Sequence, residues 1–220
     1  MFRGFSRDML PFMAELALRN NKSWYEAHKP EYRKLVLEPF YALTEELAPA
    51  ARAVDRRIIT EPRRCVSRAR RDTRFTKDKS LYRNNIWISF KPMVDRWEYP
   101  MLYFEVLQDR FRCGLVYCNA QPSYMQAFRN YIGDCPNDFR QGVQKLAKVG
   151  LFPCGEQYKK PKPDAVRGLE EWFRFREIWF NRDWTDLSLL WGREFLPEIQ
   201  AAFEGASHMY RILEEVREEM

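Results

Sequence analysis

Between Arg68 and Tyr82 the chain reads Arg68-Ala69-Arg70-Arg71-Asp72-Thr73-Arg74-Phe75-Thr76-Lys77-Asp78-Lys79-Ser80-Leu81-Tyr82. A guanidinium offers its donors in a planar fork that matches carboxylate or phosphate. Arg68, Arg71, Arg74 and Lys79 are therefore candidates to line a pocket for a small anionic, phosphate-bearing ligand. Asp72 and Asp78 would orient those donors, and Tyr82 would add a neutral hydroxyl. Carboxylates held beside arginines stay ionised and make poor general acids. No catalytic residue is assigned on this basis, and whether the protein is an enzyme stays open. The same residues have a second reading, in which alternating Arg and Asp form an ion-pair network that fixes a turn. Both readings expect Asp72 within salt-bridge distance of an arginine.

The charge is unevenly spread. Ten Arg and two Lys stand against four acids between Arg52 and Arg83, a local excess of eight in a chain of net charge +6. Such a patch attracts nucleic acid, a phosphorylated metabolite or an acidic partner. Nucleic-acid binding is the main rival function. Against it, the basic stretch is interleaved with acids, and no helix-turn-helix, RNA-recognition or zinc-finger pattern is present. A protein-interaction role, with the motif as architecture, is the third possibility. A metal-dependent phosphodiesterase would need several convergent carboxylates. Asp72, Asp78 and Glu105 are the central candidates, and Glu105 is better placed to pair with a motif arginine. The five cysteines form no C-x-x-C pair and the two histidines, His28 and His208, are far apart, so no metal site and no disulfide framework is expected. The sequence specifies no cofactor.

The motif R-D-x-R-F-[ST]-x-D-K-x-x-Y, here Arg71 to Tyr82, resembles the hallmark of a conserved-hypothetical family, domain of unknown function 2461. Phe5, the run Leu16 to Asn21, then Trp24-Tyr25-Glu26-Ala27-His28-Lys29 with Tyr32 and Pro39, is similar to that family's opening pattern. Tyr103-Phe104, Gly114-Leu115 and Pro122 look like its sheet and first following helix. Tyr158-Lys159-Lys160-Pro161 is similar to its Y-K-[KR]-P loop, which implies Lys159 or Lys160 closing over the same pocket. Read without the resemblance, that loop is a solvated basic connector. Leu81 stands where a proline is usual, and Arg70-Arg71 replaces a more aromatic lead-in. The family implies an α+β domain and no established activity, substrate or cofactor.

The elements that must position these residues follow from periodicity. Met9, Phe12, Met13, Leu16 and Ala17 recur at helical spacing behind Phe5-Ser6, and Asn20-Asn21 ends that helix. Ser23 to Glu26 has capping-box spacing for a second helix, interrupted by Pro30, and Pro39 should kink or break a third stripe from Tyr32 to Leu47. The middle changes period. Ile86 to Phe90, Met101 to Leu107 and Phe111 to Cys118 alternate as strands of an antiparallel meander, with Cys65 to Arg71 as a strand ahead of them. Helices begin at Pro122-Ser123 and near Pro136. Gly150 to Pro163 reads as a loop, Asp164 as the cap of a helix through Phe173, and Ile178 to Phe180 as a short strand. Thr185 or Asp186 caps a last pair of helices, separated near Gly205 to Ser207. The expectation is one α+β domain over residues 1–220, with an antiparallel sheet from about 64 to 118 and helices on both sequence flanks.

With 220 residues and 45% hydrophobic composition, the chain buries a sizeable core, and disorder is excluded. No apolar run approaches the ~18 residues that span a bilayer. The opening residues lack the apolar core of a signal peptide. A cytoplasmic protein without membrane partners is expected, its oligomeric state open. Trp172, Phe173, Trp179, Phe180, Trp184 and Trp191 read as core aromatics rather than base-stacking platforms, and His28 as a packing residue.

Overall fold

The computed structural model describes residues 1–74, 77–93 and 98–220. Its elements run α1 (Met9–Arg19), α2 (Lys22–Ala27), α3 (Lys29–Tyr32), a π-helical turn (Arg33–Leu37), α4 (Glu38–Val54) and α5 (Pro62–Cys65). Strands β1 (Ile86–Phe90), β2 (Tyr99–Val106) and β3 (Phe111–Cys118) follow, then α6 (Pro122–Asp134), α7 (Pro136–Lys148), β4 (Phe152–Cys154), β5 (Trp179–Trp184) and α8 (Leu196–Glu218). All five strands are antiparallel neighbours in the order β1-β2-β3-β5-β4. The fold is α+β, and the meander β1-β2-β3 is its centre.

Alternation decides which sheet face is covered. Ile86, Ile88, Phe90, Leu102, Phe104, Val106, Phe111 and Leu115 are buried and lie in cross-strand register. Phe40 of α4 and Phe195, just ahead of α8, pack on Phe104, while Phe203 of α8 meets Phe90 edge-on at 5.7 Å. Each such ring contributes about 1.5–3 kcal/mol on burial. The opposite face carries Trp87, Tyr103, Glu105, Arg112 and Asn181, and there the polar chemistry collects.

Several local expectations change. The sheet extends beyond 64–118, because β5 pairs with β3 from Phe111↔Trp184 to Val116↔Trp179 and β4 adds an edge. The stretch 150–163 is thus not all loop; Pro153 is tolerated because an edge strand needs fewer ladder donors. The segment from Cys65 to Arg71 makes isolated bridges, Val66↔Ile88 and Arg70↔Tyr82, rather than a continuous strand. Asn21, not Ser23, caps α2, its Oδ1 accepting from the Trp24 N–H at 2.9 Å. Pro39 does not break the helical path: α4 runs from Glu38 to Val54, and the π-helical turn Arg33–Leu37 directly before it is where the regular hydrogen-bond ladder is interrupted. No α-helix runs from Asp164 through Phe173; Gly168 takes φ 79°, and only a 3-10 turn, Glu170–Arg174, forms there. Asp186 caps a 3-10 turn, Leu187–Trp191. α8 runs unbroken through Gly205, where an added Cβ would meet the Val149 methyls at 2.8 Å, so this glycine serves close packing rather than a break. All five cysteines are free.

An ionic clasp joins the end of α4 to α8. Asp55 receives a fork from Arg57 and a hydroxyl bond from Tyr210, and Arg57 also reaches Glu214 at 2.6 Å. Partial burial works against the charge on Asp55, but the hydrogen bonds from Arg57 and Tyr210 outweigh it and hold the carboxyl below its ordinary 3.8. A carboxyl lowered on folding adds stability above its unfolded pKa and loses it as pH falls through the folded one. The urea midpoint should therefore decline as pH drops below about 4, and Asp55→Asn should flatten that decline while lowering the neutral-pH midpoint. Identical acid slopes for the two proteins would refute the assignment.

Candidate functional site: an arginine-lined cleft

Backbone pairing builds the site before any side chain does. Residues 66–71 run antiparallel to 81–88, with Ser67 N–H donating to the Trp87 carbonyl, Arg71 N–H to Leu81 and Arg83 N–H to Ala69 at 2.8–3.0 Å. This pairing extends the outer edge of β1 as a hairpin, and Asp72, Thr73, Arg74, Asp78 and Lys79 stand towards its tip. Asn20 locks the tip to α1. Its Oδ1 accepts from the N–H groups of Leu81 (2.5 Å) and Tyr82 (3.2 Å), and its amide donates to the Tyr82 (3.0 Å) and Ala17 (3.3 Å) carbonyls. The Tyr82 ring is buried and stacks on Tyr25 at 4.6 Å.

Along the hairpin lies a cleft of about 570 Å³, lined by Ser67, Arg68, Arg70, Arg71 and Asp72, with Thr73, Arg74, Arg83 and Trp87 completing it. Asp72 accepts a fork from Arg74, 3.0 Å to Nε and 2.8 Å to Nη2, and also the Arg74 backbone N–H. These bonds hold its carboxyl down to about 2. Asp78 accepts from the Ser80 N–H at 2.9 Å, which lowers it too, and lies 3.2 Å from Arg71. Lys79 donates to the Thr73 carbonyl at 2.8 Å, tying the two sides of the tip together.

Arg83 is placed differently. Its guanidinium lies 4.7 Å over the Trp87 ring. Its buried Nε has no hydrogen-bond partner among the described residues, and neither has that of Arg71. Among the described residues no carboxylate forms a salt bridge to it. Desolvation first, and the neighbouring Arg71 charge second, lower its proton affinity, with the Asp72 carboxylate as the weaker opposing influence. Arg71 has Asp78 as its counter-charge, so of the two neighbouring cations it is Arg83 whose half-burial an anion would offset.

The structure thus brings Arg68, Arg71, Asp72 and Arg74 to one cleft. Asp78 and Lys79 fasten the tip without lining the cleft, and Tyr82 is turned into the packing against Tyr25. Lys159 and Lys160 are exposed on another loop, whose Tyr158 and Lys162 border a separate cleft. Phe75 lies outside the described residues. Glu105 does not meet a motif arginine; it pairs with Arg112, its cross-strand partner, at 2.7 Å and accepts from Asn85 at 2.6 Å. Sequence reasoning missed Arg70, Arg83, Trp87 and Asn20. Arg83 stood in the basic run but past the motif, Trp87 read only as one position of an alternating strand, and Asn20 only as a helix end. Among the described residues no group of three or more His, Cys, Asp or Glu side chains is placed to hold a metal, and no helix is long and apolar enough to cross a membrane.

An antiparallel five-stranded sheet with helices on one face, and an arginine hairpin added to its β1 edge, defines an α+β protein built around that hairpin. The chain belongs to the conserved hypothetical protein family DUF2461, whose model matches residues 8–211, from the start of α1 to Arg211 within α8. No curated protein and no solved structure matches it.

Proposed function

We propose that the arginine cleft binds a small phosphate-bearing anion. The observation that carries this reading is Arg83, desolvated over Trp87 beside Arg71, with no carboxylate among the described residues in a salt bridge to it. Ligand phosphate would accept charge-assisted bonds from Arg83, Arg71 and Arg68, while the Asp72–Arg74 pair fixes the rim. The Trp87 ring adds an apolar wall for the remainder of the ligand. A second reading draws on the ion pairs Asp72–Arg74 and Arg71–Asp78, which brace the tip and would make the motif architectural. Lys159 and Lys160, exposed on another loop, line neither cleft.

A thermal-shift screen with nucleotides, sugar phosphates and organic acids separates the two. A ligand at ~100 times its dissociation constant adds ~2.7 kcal/mol to stability. Arg83→Gln should abolish the shift while leaving the ligand-free melting temperature nearly unchanged. Arg74→Ala, at an exposed position, should keep the fold and cost roughly tenfold in affinity by releasing the Asp72 charge into the cleft. If no anion shifts the wild type, the motif is architecture. Binding that appears only with oligonucleotides and falls steeply with salt would instead favour a nucleic-acid surface.

A further inference from the structure

A second buried cation lies elsewhere in the fold. Arg129 of α6 is only 3% exposed. Its Nη2 donates to the Phe175 carbonyl at 3.0 Å, its Nη1 reaches the Gln126 side-chain oxygen at 3.5 Å, and its Nε has no partner among the described residues. Both bonded acceptors are neutral, and among the described residues no carboxylate forms a salt bridge to it. Burying a guanidinium against neutral oxygens alone is expensive, which is why buried arginines are normally paired. Consistent with that cost, desolvation lowers its proton affinity, with Tyr158 and Asp164 as the opposing influences.

Arg129 borders a cleft of about 420 Å³ between the N-terminal half of α6 and the loop Glu156–Lys162. That loop is held in place by backbone bonds. Tyr158 N–H donates to the Arg174 carbonyl, Arg176 N–H to Glu156 and Lys162 N–H to Phe173. Two further cations converge on the cleft. Lys162 Nζ lies 4.3 Å over the Tyr158 ring and the Arg176 guanidinium 5.5 Å from it. The carboxylates of the wall are engaged: Glu156 bonds Arg176 at 3.0 Å, and Glu177 accepts the Glu156 N–H at 3.4 Å.

We infer that this cleft is a second small-anion site, in which Arg129, with Lys162 and Arg176, holds the phosphate or carboxylate group of a small ligand. It is independent of the arginine hairpin: no residue lines both clefts. Tyr158 sets the size of the opening, and its ring keeps Lys162 and Arg176 close enough to act together. Such convergence of one buried and two half-exposed cations suits a compact oxyanion rather than a polymer backbone, which needs an extended track of charge.

The Arg129 Nε–H signal in a proton–nitrogen NMR spectrum, identified by its absence from Arg129→Met, tests this directly. Titration with inorganic phosphate, and separately with succinate, should move that signal saturably, and the more effective anion gives the ligand's head group. Lys162→Ala, on the exposed loop, should weaken the response about tenfold or more; where Arg129→Met proves unstable, absence from Arg129→Lys identifies the signal instead. Arg83→Gln should leave the response unchanged, which keeps the result separate from the hairpin cleft. A signal unmoved by both anions, or one that moves identically in Lys162→Ala, overturns the proposal.

Discussion

Replacing Asn20 by alanine should destabilise the protein by about 3 kcal/mol or more and abolish ligand response at the arginine cleft together. The estimate has two parts. Asn20 sits at φ 41°, ψ 39°, in the left-handed region, where a residue with a Cβ and no compensating local bond costs roughly 1 kcal/mol. Its side chain also makes four hydrogen bonds, three of them to Leu81 and Tyr82 at the base of the charged tip. Net values near 1 kcal/mol per bond, with a larger penalty where a half-buried N–H is left bare, bring the total to that range. Asn20→Gly removes the same bonds and relieves the backbone, so it should cost about 1 kcal/mol less. Urea unfolding of the two variants measures both parts. Equal costs would refute the left-handed contribution, and an alanine variant within about 0.5 kcal/mol of wild type would show that surface effects alone are at stake.

The same residue shows why parts of the site were readable in the sequence and others were not. The fork between Arg74 and Asp72 is local, two residues apart, so composition and spacing sufficed. The Asn20 clamp joins positions 61 and 62 residues apart, and nothing in an Asn-Asn pair says which distant backbone it will hold. Arg83 and Trp87 meet on a strand edge whose twist only the folded sheet sets. At the level of elements, β1 to β3 were legible because alternation and short turns specify a meander locally. The pairing of β3 with β5 was not, since the two are separated by the whole α6–α7 block. Gly205 misled for a related reason: a glycine is a breaker in isolation, but in α8 its missing side chain admits Val149. Glu105 was expected to seek a motif arginine because those were the cations in view. Once the β2–β3 register is fixed, Arg112 stands directly opposite it and is closer.

That register supplies the other large expected effect. Glu105→Ala should cost about 2–4 kcal/mol, somewhat below the range for a fully buried pair broken on one side, because the Arg112 side chain remains 25% exposed. The loss comes mainly from what stays behind, since Arg112 keeps its half-buried charge and Asn85 keeps a donor that Glu105 had satisfied at 2.6 Å. Glu105→Leu combined with Arg112→Leu should recover most of it, because a cross-strand apolar pair needs no compensation. If the double variant is as unstable as the single one, packing rather than charge explains the cost. If Glu105→Ala costs less than about 1 kcal/mol, Asp183, opposite Arg112 on β5, has taken over the pairing. The consequence for the cleft follows from geometry. Asn85 lies between Arg83 and β1, and Trp87 faces Glu105 in register, so the Glu105–Asn85 bond steadies the strand that presents the Arg83–Trp87 pair. Glu105→Ala should therefore weaken anion binding at the hairpin although Glu105 does not line it, and the leucine pair, which restores stability but not the Asn85 bond, should leave that binding weak. Recovery of both together would place the carboxylate in the sheet's stability alone.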